Sequence, residues 1–212
     1  AVFFFFGKAR RAAGNGVIYF AGYKYKQVVF KTADIEAASD IIIWAVDKTA
    51  GAVAIEPTRP QDKSFVGNIL EAMIAYAQGQ LGEQPISLAD VDHLIVIGSD
   101  RMMAAVKDAR YDVLKPYLKK AHHAVGSINS PMQCMMKGIC AQCLCKHVDA
   151  ETGKEYFVYS CYNQDQDLDK VDFKHLNARL RQNTVQEKLS NLWLDYLLAK
   201  QKSAKVALLS EK

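Results

Sequence analysis

The five cysteines of this chain all fall between positions 134 and 161. Four of them form the pattern C-x5-C-x2-C-x17-C: Cys134, Cys140, Cys143 and Cys161. Thiolate ligands at such spacing select zinc or an iron-sulfur cluster, and the spacing alone does not choose between them. One tight pair, one looser partner and a distant fourth resemble the asymmetric wrapping of a [2Fe-2S] cluster more than a zinc site. An odd cysteine count in one short segment also favours a metal centre over a disulfide framework.

Other side chains near this pattern have both an ordinary and a chemical interpretation. Cys145 could replace Cys143 or Cys134 as a ligand, but a half-buried thiol is the ordinary interpretation. His122 and His123 could bind metal, although histidines at strand edges are commoner. For His147 we expect exposure, with a hydrogen bond close to the metal as the alternative.

Short apolar runs alternate with stretches of helical period in the first part of the chain. The runs predict buried strands at Val2–Phe6, Val17–Ala21, Ile41–Asp47 and Leu94–Gly98, with a last strand at 122–125. The helical stretches run from Ser64, a candidate N-cap, to Gly79, and from Arg101 to Lys120. Because parallel strands need crossover connections, this alternation predicts an α/β fold with an open, doubly wound parallel sheet.

The character of the chain changes twice beyond this region. We expect an α/β domain over 1–125, a small cysteine-rich metal lobe over 126–170 and a helical tail over 171–212. Turn formers at 152–154 predict a hairpin between Val148 and Tyr159. Apolar residues at helical spacing in the tail predict one long amphipathic helix, or two joined near Asn183, with a dimer or partner surface as a possible use.

Composition excludes several classes of function. The 27 basic and 23 acidic residues are spread through the chain, which gives nucleic-acid binding no support. No apolar run approaches the roughly 20 residues that cross a bilayer. The opening run is also shorter than the core of a signal peptide, so we expect a soluble, cytoplasmic protein.

Three segments of the chain carry a family resemblance. Ile95 to Val106, with Ile-Gly followed by Met-Met, is similar to the last nucleotide-contacting strand and turn of the ferredoxin-reductase family, specifically of its electron-transfer subunits that carry a C-terminal [2Fe-2S] lobe. Ser127 to Met132, followed by Gly-Ile-Cys-Ala-Gln-Cys at 138–143, resembles the start of the iron-sulfur lobe. Val171-Asp172-Phe173, with Leu176 and Arg179, is similar to the ending of the sulfide dehydrogenase and electron-bifurcating ferredoxin-NADP reductase branch. The electron-transfer subunit of dihydroorotate dehydrogenase is a close relative of that branch.

The resemblance implies a path of electrons between NAD(P)H, FAD and a [2Fe-2S] cluster, and on to a partner redox centre. It implies that Gly98 lets the dinucleotide approach the backbone and that the turn after it contacts the nicotinamide ribose. It places Gly22 and Lys24 near the adenosine end, where Lys24 could meet the 2′-phosphate of NADP. The implied cofactor-binding residues are Gly22, Lys24, Gly98, Ser99, Asp100, Arg101 and Met102.

Three departures from the family pattern set limits on this interpretation. The FAD-binding barrel is absent from this sequence, so we expect a fragment, or a subunit that uses the flavoprotein domain of a partner. A Gly-rich pyrophosphate loop is not recognisable, and Cys134 is displaced by one position from the usual first ligand. The rival hypothesis is a non-catalytic α/β scaffold with a structural zinc lobe.

Overall fold

A computed structural model describes residues 2–48, 52–128 and 137–210. The chain divides into two compact units, Ala1–Gly126 and Ser127–Lys212. The fold is mixed α/β, with parallel strands in the first unit and a helix at the C-terminal end. None of the described helices is both long and apolar enough to cross a membrane.

The first unit alternates helices and strands. In chain order these are α1 (Val2–Ala12), β1 (Ile18–Tyr23), α2 (Thr32–Ala37), β2 (Ile41–Val46), β3 (Lys63–Val66), α3 (Ile69–Ala77), β4 (His93–Ile97), α4 (Asp100–Tyr111) and β5 (His123–Ser127). Strands β1, β2 and β3 form a parallel sheet in that order, in which Ile18 pairs with Ile41 and Val46 with Val66. Strands β4 and β5 are neighbours in a separate sheet. Parallel pairing, expected from the alternation of elements, is thereby confirmed.

Strand β2 forms the centre of the first unit. All six of its residues are buried, as expected for a strand that is covered on both faces. Trp44 packs in a cluster with Ala21, Ile35 and Ile55, and its ring stacks on Tyr23 at 6.2 Å. Apolar burial at about 25 cal/mol per Å² therefore supplies most of the stabilisation of this unit.

A set of polar contacts, which we call the clasp, holds the loop before β3. The buried Asp62 carboxylate accepts from the Ile42 amide at 2.9 Å and from the Arg59 guanidinium at 2.7 Å. Arg59 also donates to the carbonyl oxygens of Glu36 and Ser39, at 2.9 and 3.0 Å. This clasp ties the loop to α2 and to the start of β2.

The prediction of a buried strand at Val2–Phe6 is wrong. These residues begin α1, and the Phe5 side chain is 78% exposed. Helical spacing brings Arg10 over the Phe6 ring at 5.0 Å, and Arg11 at the end of α1 donates to the Ala37 carbonyl at 2.8 Å. The strand preference of the aromatic run is therefore outweighed by (i, i+4) pairing and by tertiary contacts at the helix end.

Two helix boundaries also differ from prediction. Ser64 lies in β3, and α3 is instead capped by Asn68, which forms a reciprocal capping box with Glu71. Gly79 follows α3 with a φ of +73°, as expected of a glycine that ends a helix. Helix α4 ends at Tyr111 rather than near Lys120, and Leu114 is buried in the turns that follow it.

The second unit contains a hairpin and a long helix. Strands β6 (Leu144–Val148) and β7 (Glu155–Tyr159) pair antiparallel, which confirms the predicted hairpin, and are followed by β8 (Asp165–Asp167). Helix α5 (Phe173–Ser210) is one continuous helix of 38 residues. Its first turns pack on β6 and bury Phe173 and Leu176.

Candidate functional site

The open end of the hairpin brings two of the predicted metal ligands together. Cys143 directly precedes β6 and Cys161 follows β7, and their sulfur atoms lie 3.1 Å apart. The Ser160 amide donates to the Cys143 carbonyl at 3.0 Å, which continues the pairing of the strands up to the sulfurs. Antiparallel pairing therefore explains how cysteines 18 positions apart in sequence become neighbours.

The separation of these sulfurs lies between that of a disulfide and that of two thiolates on one metal. A disulfide bond is about 2.05 Å long, well below the observed distance. Two thiolates on one tetrahedral metal, each about 2.3 Å from it, lie roughly 3.8 Å apart.

Cys140, a third predicted ligand, is not part of this pair. Cys140 is half-buried in the loop before Cys143. Within the described residues, no third Cys, His, Asp or Glu joins Cys143 and Cys161 in a group that could hold a metal. Cys134 lies outside the described residues, so its ligation stays a prediction.

The loop that carries Cys140 and Cys143 is held by an arginine from α5. The Arg179 guanidinium donates to the Ala141 carbonyl at 3.0 Å and to the Gln142 carbonyl at 3.1 Å. Ala141 has a φ of +54°, a left-handed conformation that is costly for alanine and needs such support. Sequence reasoning noted Arg179 only within a family motif and missed this contact. Its position three residues after the buried Leu176 was the available signal.

Cys145 lies two residues beyond Cys143 and is fully buried. Burial raises the pKa of its thiol to about 11, with a further increase from the Asp172 carboxylate, while Arg179 opposes the shift. A thiol with so high a pKa stays protonated at neutral pH. This supports the interpretation of Cys145 as a packed thiol rather than a ligand.

The expectation that His147 is exposed is wrong. Its side chain is 3% exposed, because alternate residues of β6 face the core of the lobe. Its Nε2 lies 2.6 Å from the Gln166 amide oxygen, and the Gln166 amide nitrogen donates to the Ser160 hydroxyl at 2.8 Å. Gln166 thus connects His147 to the residue that precedes Cys161.

The two adjacent histidines of the first unit have ordinary partners. His122 Nε2 accepts from Arg110 Nε at 2.8 Å. The His123 ring packs edge-on against His93 with centroids 5.9 Å apart.

The predicted dinucleotide-binding residues lie at the carboxyl ends of two strands. Gly98 follows β4, and Ser99 caps α4 by accepting from the Met102 amide at 3.2 Å. Asp100 and Arg101 occupy the first turn of that helix. A Cβ on Gly98 would lie 2.2 Å from the Met102 methyl carbon, so glycine allows the strand to pass close to this side chain.

Gly22 and Lys24 form a second group, at the end of β1. Gly22 is the fifth residue of β1, and Lys24 lines a shallow open pocket with Tyr25 and with Val46 at the end of β2. That pocket includes none of the residues from Gly98 to Met102. The carboxyl edge of parallel strands is the usual ligand-binding edge of α/β folds.

No family model matches the chain. A stretch of 65 residues, 31% of this chain, is 51% identical to an uncharacterized protein of Rickettsia prowazekii (strain Madrid E). That stretch is 9% of the relative's length, so the chain spans only a small part of this relative. The name of this relative states no activity.

Proposed function

We propose that this chain is the NAD(P)H-binding and [2Fe-2S] portion of a flavin-dependent electron-transfer oxidoreductase of the ferredoxin-reductase type. The observation that carries the proposal is the 3.1 Å approach of Cys143 and Cys161 at the open end of the hairpin. Cys140 and Cys134 would complete the ligand set. The cluster would exchange electrons with FAD held by a partner flavoprotein domain or subunit, and the protein would position the redox groups.

The surroundings of the sulfur pair are consistent with a redox centre near the surface. Cys140 and Cys161 are half-buried, whereas their neighbours Ile139 and Tyr162 are 76% and 82% exposed. Exposed apolar side chains beside the ligands offer a contact surface for the flavin-bearing partner. A partner seated there would bring its flavin close to the cluster and keep water from it.

The first unit would bind the nucleotide under this proposal. Under it, this unit is a doubly wound NAD(P)-binding domain in which Gly98, Ser99 and the first turn of α4 receive the nicotinamide ribose. The Ser99 cap leaves the positive end of the α4 dipole directed at this turn. Lys24, beyond β1, supplies a cation for the adenosine end.

Visible absorption tests the cluster directly. Protein purified without oxygen should be red-brown, and dithionite should bleach it, because a [2Fe-2S] cluster absorbs visible light when oxidised. Cys143→Ser and Cys140→Ser should remove the colour and loosen the lobe, because metal binding contributes to folding. Cys145→Ser is the matched control and should keep the colour.

Each outcome of this experiment separates the hypotheses. A colourless protein that holds zinc would support the rival structural site. Colour retained in both Cys140→Ser and Cys143→Ser would contradict the assignment of ligands.

Nucleotide binding is tested by titration of the whole chain with NADH and NADPH, followed through nicotinamide fluorescence. Arg101→Gln should weaken the binding of NADH and of NADPH by about tenfold, because one charge-assisted hydrogen bond is lost. Lys24→Gln should weaken NADPH more than NADH. Lys115→Gln, an exposed change on a turn outside the site, should change neither. Equal binding by wild type and Arg101→Gln would contradict the role given to α4.

A further inference from the structure

Helix α5 leaves the lobe after Leu180 and carries a row of large exposed apolar side chains. Their exposed fractions are 64% for Val185, 63% for Leu189, 66% for Leu192, 62% for Trp193 and 51% for Tyr196. On an ideal helix these five residues occupy one arc of about 100°, which we call the seam. Leu194 and Leu198 are also exposed but lie on the opposite side of the helix.

The spacing along the seam is that of a coiled coil. Val185, Leu189, Leu192 and Tyr196 follow steps of four, three and four residues, and Ala199 continues the series. These are the a and d positions of a heptad, with Leu189 and Tyr196 at a. A helix with this repeat buries its seam against another helix of the same repeat.

The charges beside the seam are complementary to those of a second copy. Lys188 and Asp195 occupy g positions, and Lys200 occupies an e position. In a parallel pair of helices, Asp195 of one copy faces Lys200 of the other. In an antiparallel pair, it faces Lys188 instead. Both arrangements form their ion pair twice through the two-fold axis.

Two aromatic side chains of the seam contact each other. Trp193 stacks on Tyr196 with ring centroids 5.6 Å apart, and the Lys200 ammonium lies 5.3 Å from the Tyr196 ring. Together these side chains form a continuous aromatic ridge beside Leu192. Ridges of this kind dominate the energy of helical interfaces.

We propose that α5 pairs with α5 of a second copy of this chain through the seam, as a two-stranded coiled coil. The pairing does not depend on the cluster or on nucleotide binding. It therefore adds to the proposed function and can be tested apart from it.

The test is the mass of the full chain in solution, measured by analytical ultracentrifugation over a dilution series. Wild type should be a dimer at concentrations on the order of 10 µM. Leu192→Glu should raise the dimer dissociation constant by about 30-fold or more, as expected for a central interface residue. Leu198→Glu makes the same change on the opposite side and should leave the dimer intact.

Two outcomes overturn the proposal. One is a wild-type monomer throughout the series, which would leave the seam to a different partner. The other is equal loss of the dimer in Leu192→Glu and Leu198→Glu. Circular dichroism checks that both variants keep their helix, which is expected because each changed side chain is already exposed in the single chain.

Charge exchange tests the ion pair and gives the orientation. Asp195→Lys should weaken the dimer by about threefold to tenfold, since it places like charges together. Rescue by adding Lys200→Asp supports parallel helices, and rescue by adding Lys188→Asp supports antiparallel ones. Failure of both to rescue would contradict the proposed pairing of charges.

Discussion

The central strand of the first unit and the hairpin of the second are held in different ways. All six residues of β2 are buried, whereas β7 alternates between exposed and half-buried residues along its whole length. The first unit therefore has a large apolar core. Among its described residues, the second has fewer buried apolar side chains, together with a buried network of side-chain hydrogen bonds.

Under the proposed function, this difference would give the lobe a physical reason to bind a metal. A small segment cannot bury enough apolar surface to offset its loss of conformational entropy, and disulfides or metals commonly make up the difference. Leu168, Val171 and Leu176 are three of its buried apolar residues, and His147 and Gln166 form a buried polar pair. Changes in the two regions should therefore have different consequences.

The largest effect is expected from Trp44→Ala in the first unit. Loss of this side chain, which is 1% exposed, should lower the free energy of unfolding by about 3–5 kcal/mol. Chemical denaturation measures the change, with Val53→Ala, at an exposed position, as the control. A loss of iron per chain in proportion to the loss of stability would contradict the difference between the two regions.

Gln166→Leu should have the next largest effect, confined to the lobe. It would leave His147 Nε2 and the Ser160 hydroxyl without the partner that each now has, at a cost of about 2–3 kcal/mol. Hydrogen exchange of the backbone amides should become faster in β6 and β7 and stay unchanged in β1 and β2. Gln164→Leu, at an exposed position, is the control, and an effect of equal size there would argue against a specific network.

Arg179→Gln should weaken the loop that carries Cys140 and Cys143. The guanidinium donates to two carbonyl oxygens, so we expect a loss of about 1–2 kcal/mol in lobe stability and faster release of iron to a chelator. Arg181→Gln, two residues further along α5, is the matched control. Unchanged iron release in Arg179→Gln would show that the loop does not need this contact.

The smallest effect is expected from Cys145, which should make the free energy of unfolding of the lobe depend on pH. The folded state raises the pKa of this thiol from 9.0 to about 11, so the unfolded chain loses the proton first as pH rises. The corresponding stability is present below pH 9 and is lost between pH 9 and 11. Cys145→Ala should therefore show a smaller decrease in unfolding free energy over that range than wild type. Identical slopes would contradict the raised pKa.

The sequence predicted the elements whose pattern is local. Ile41 to Val46 is apolar throughout and forms the buried β2, and the turn formers at 152–154 lie in the hairpin connection. The predicted strand over Phe3 to Phe6 is wrong because strand preference and helical side-chain pairing compete in so short a run. Contacts of α1 with α2 favour the helix.

The nearness of two of the predicted ligands follows from the sequence, whereas the contacts that support them do not. Cysteine spacing indicated that Cys143 and Cys161 share a centre, and hairpin pairing brings them to 3.1 Å. The contacts of Arg179 and Gln166 with the hairpin depend on tertiary packing across many residues, which no local pattern encodes. The burial of His147 follows from the alternation of β6, which could have been read once the strand limits were known.

Joint determination of iron, zinc and acid-labile sulfide in anaerobically purified protein tests the central claim most directly. The proposal predicts about two iron atoms and about two sulfides per chain, with little zinc. One zinc per chain with no sulfide would contradict it and leave the lobe as a structural metal site.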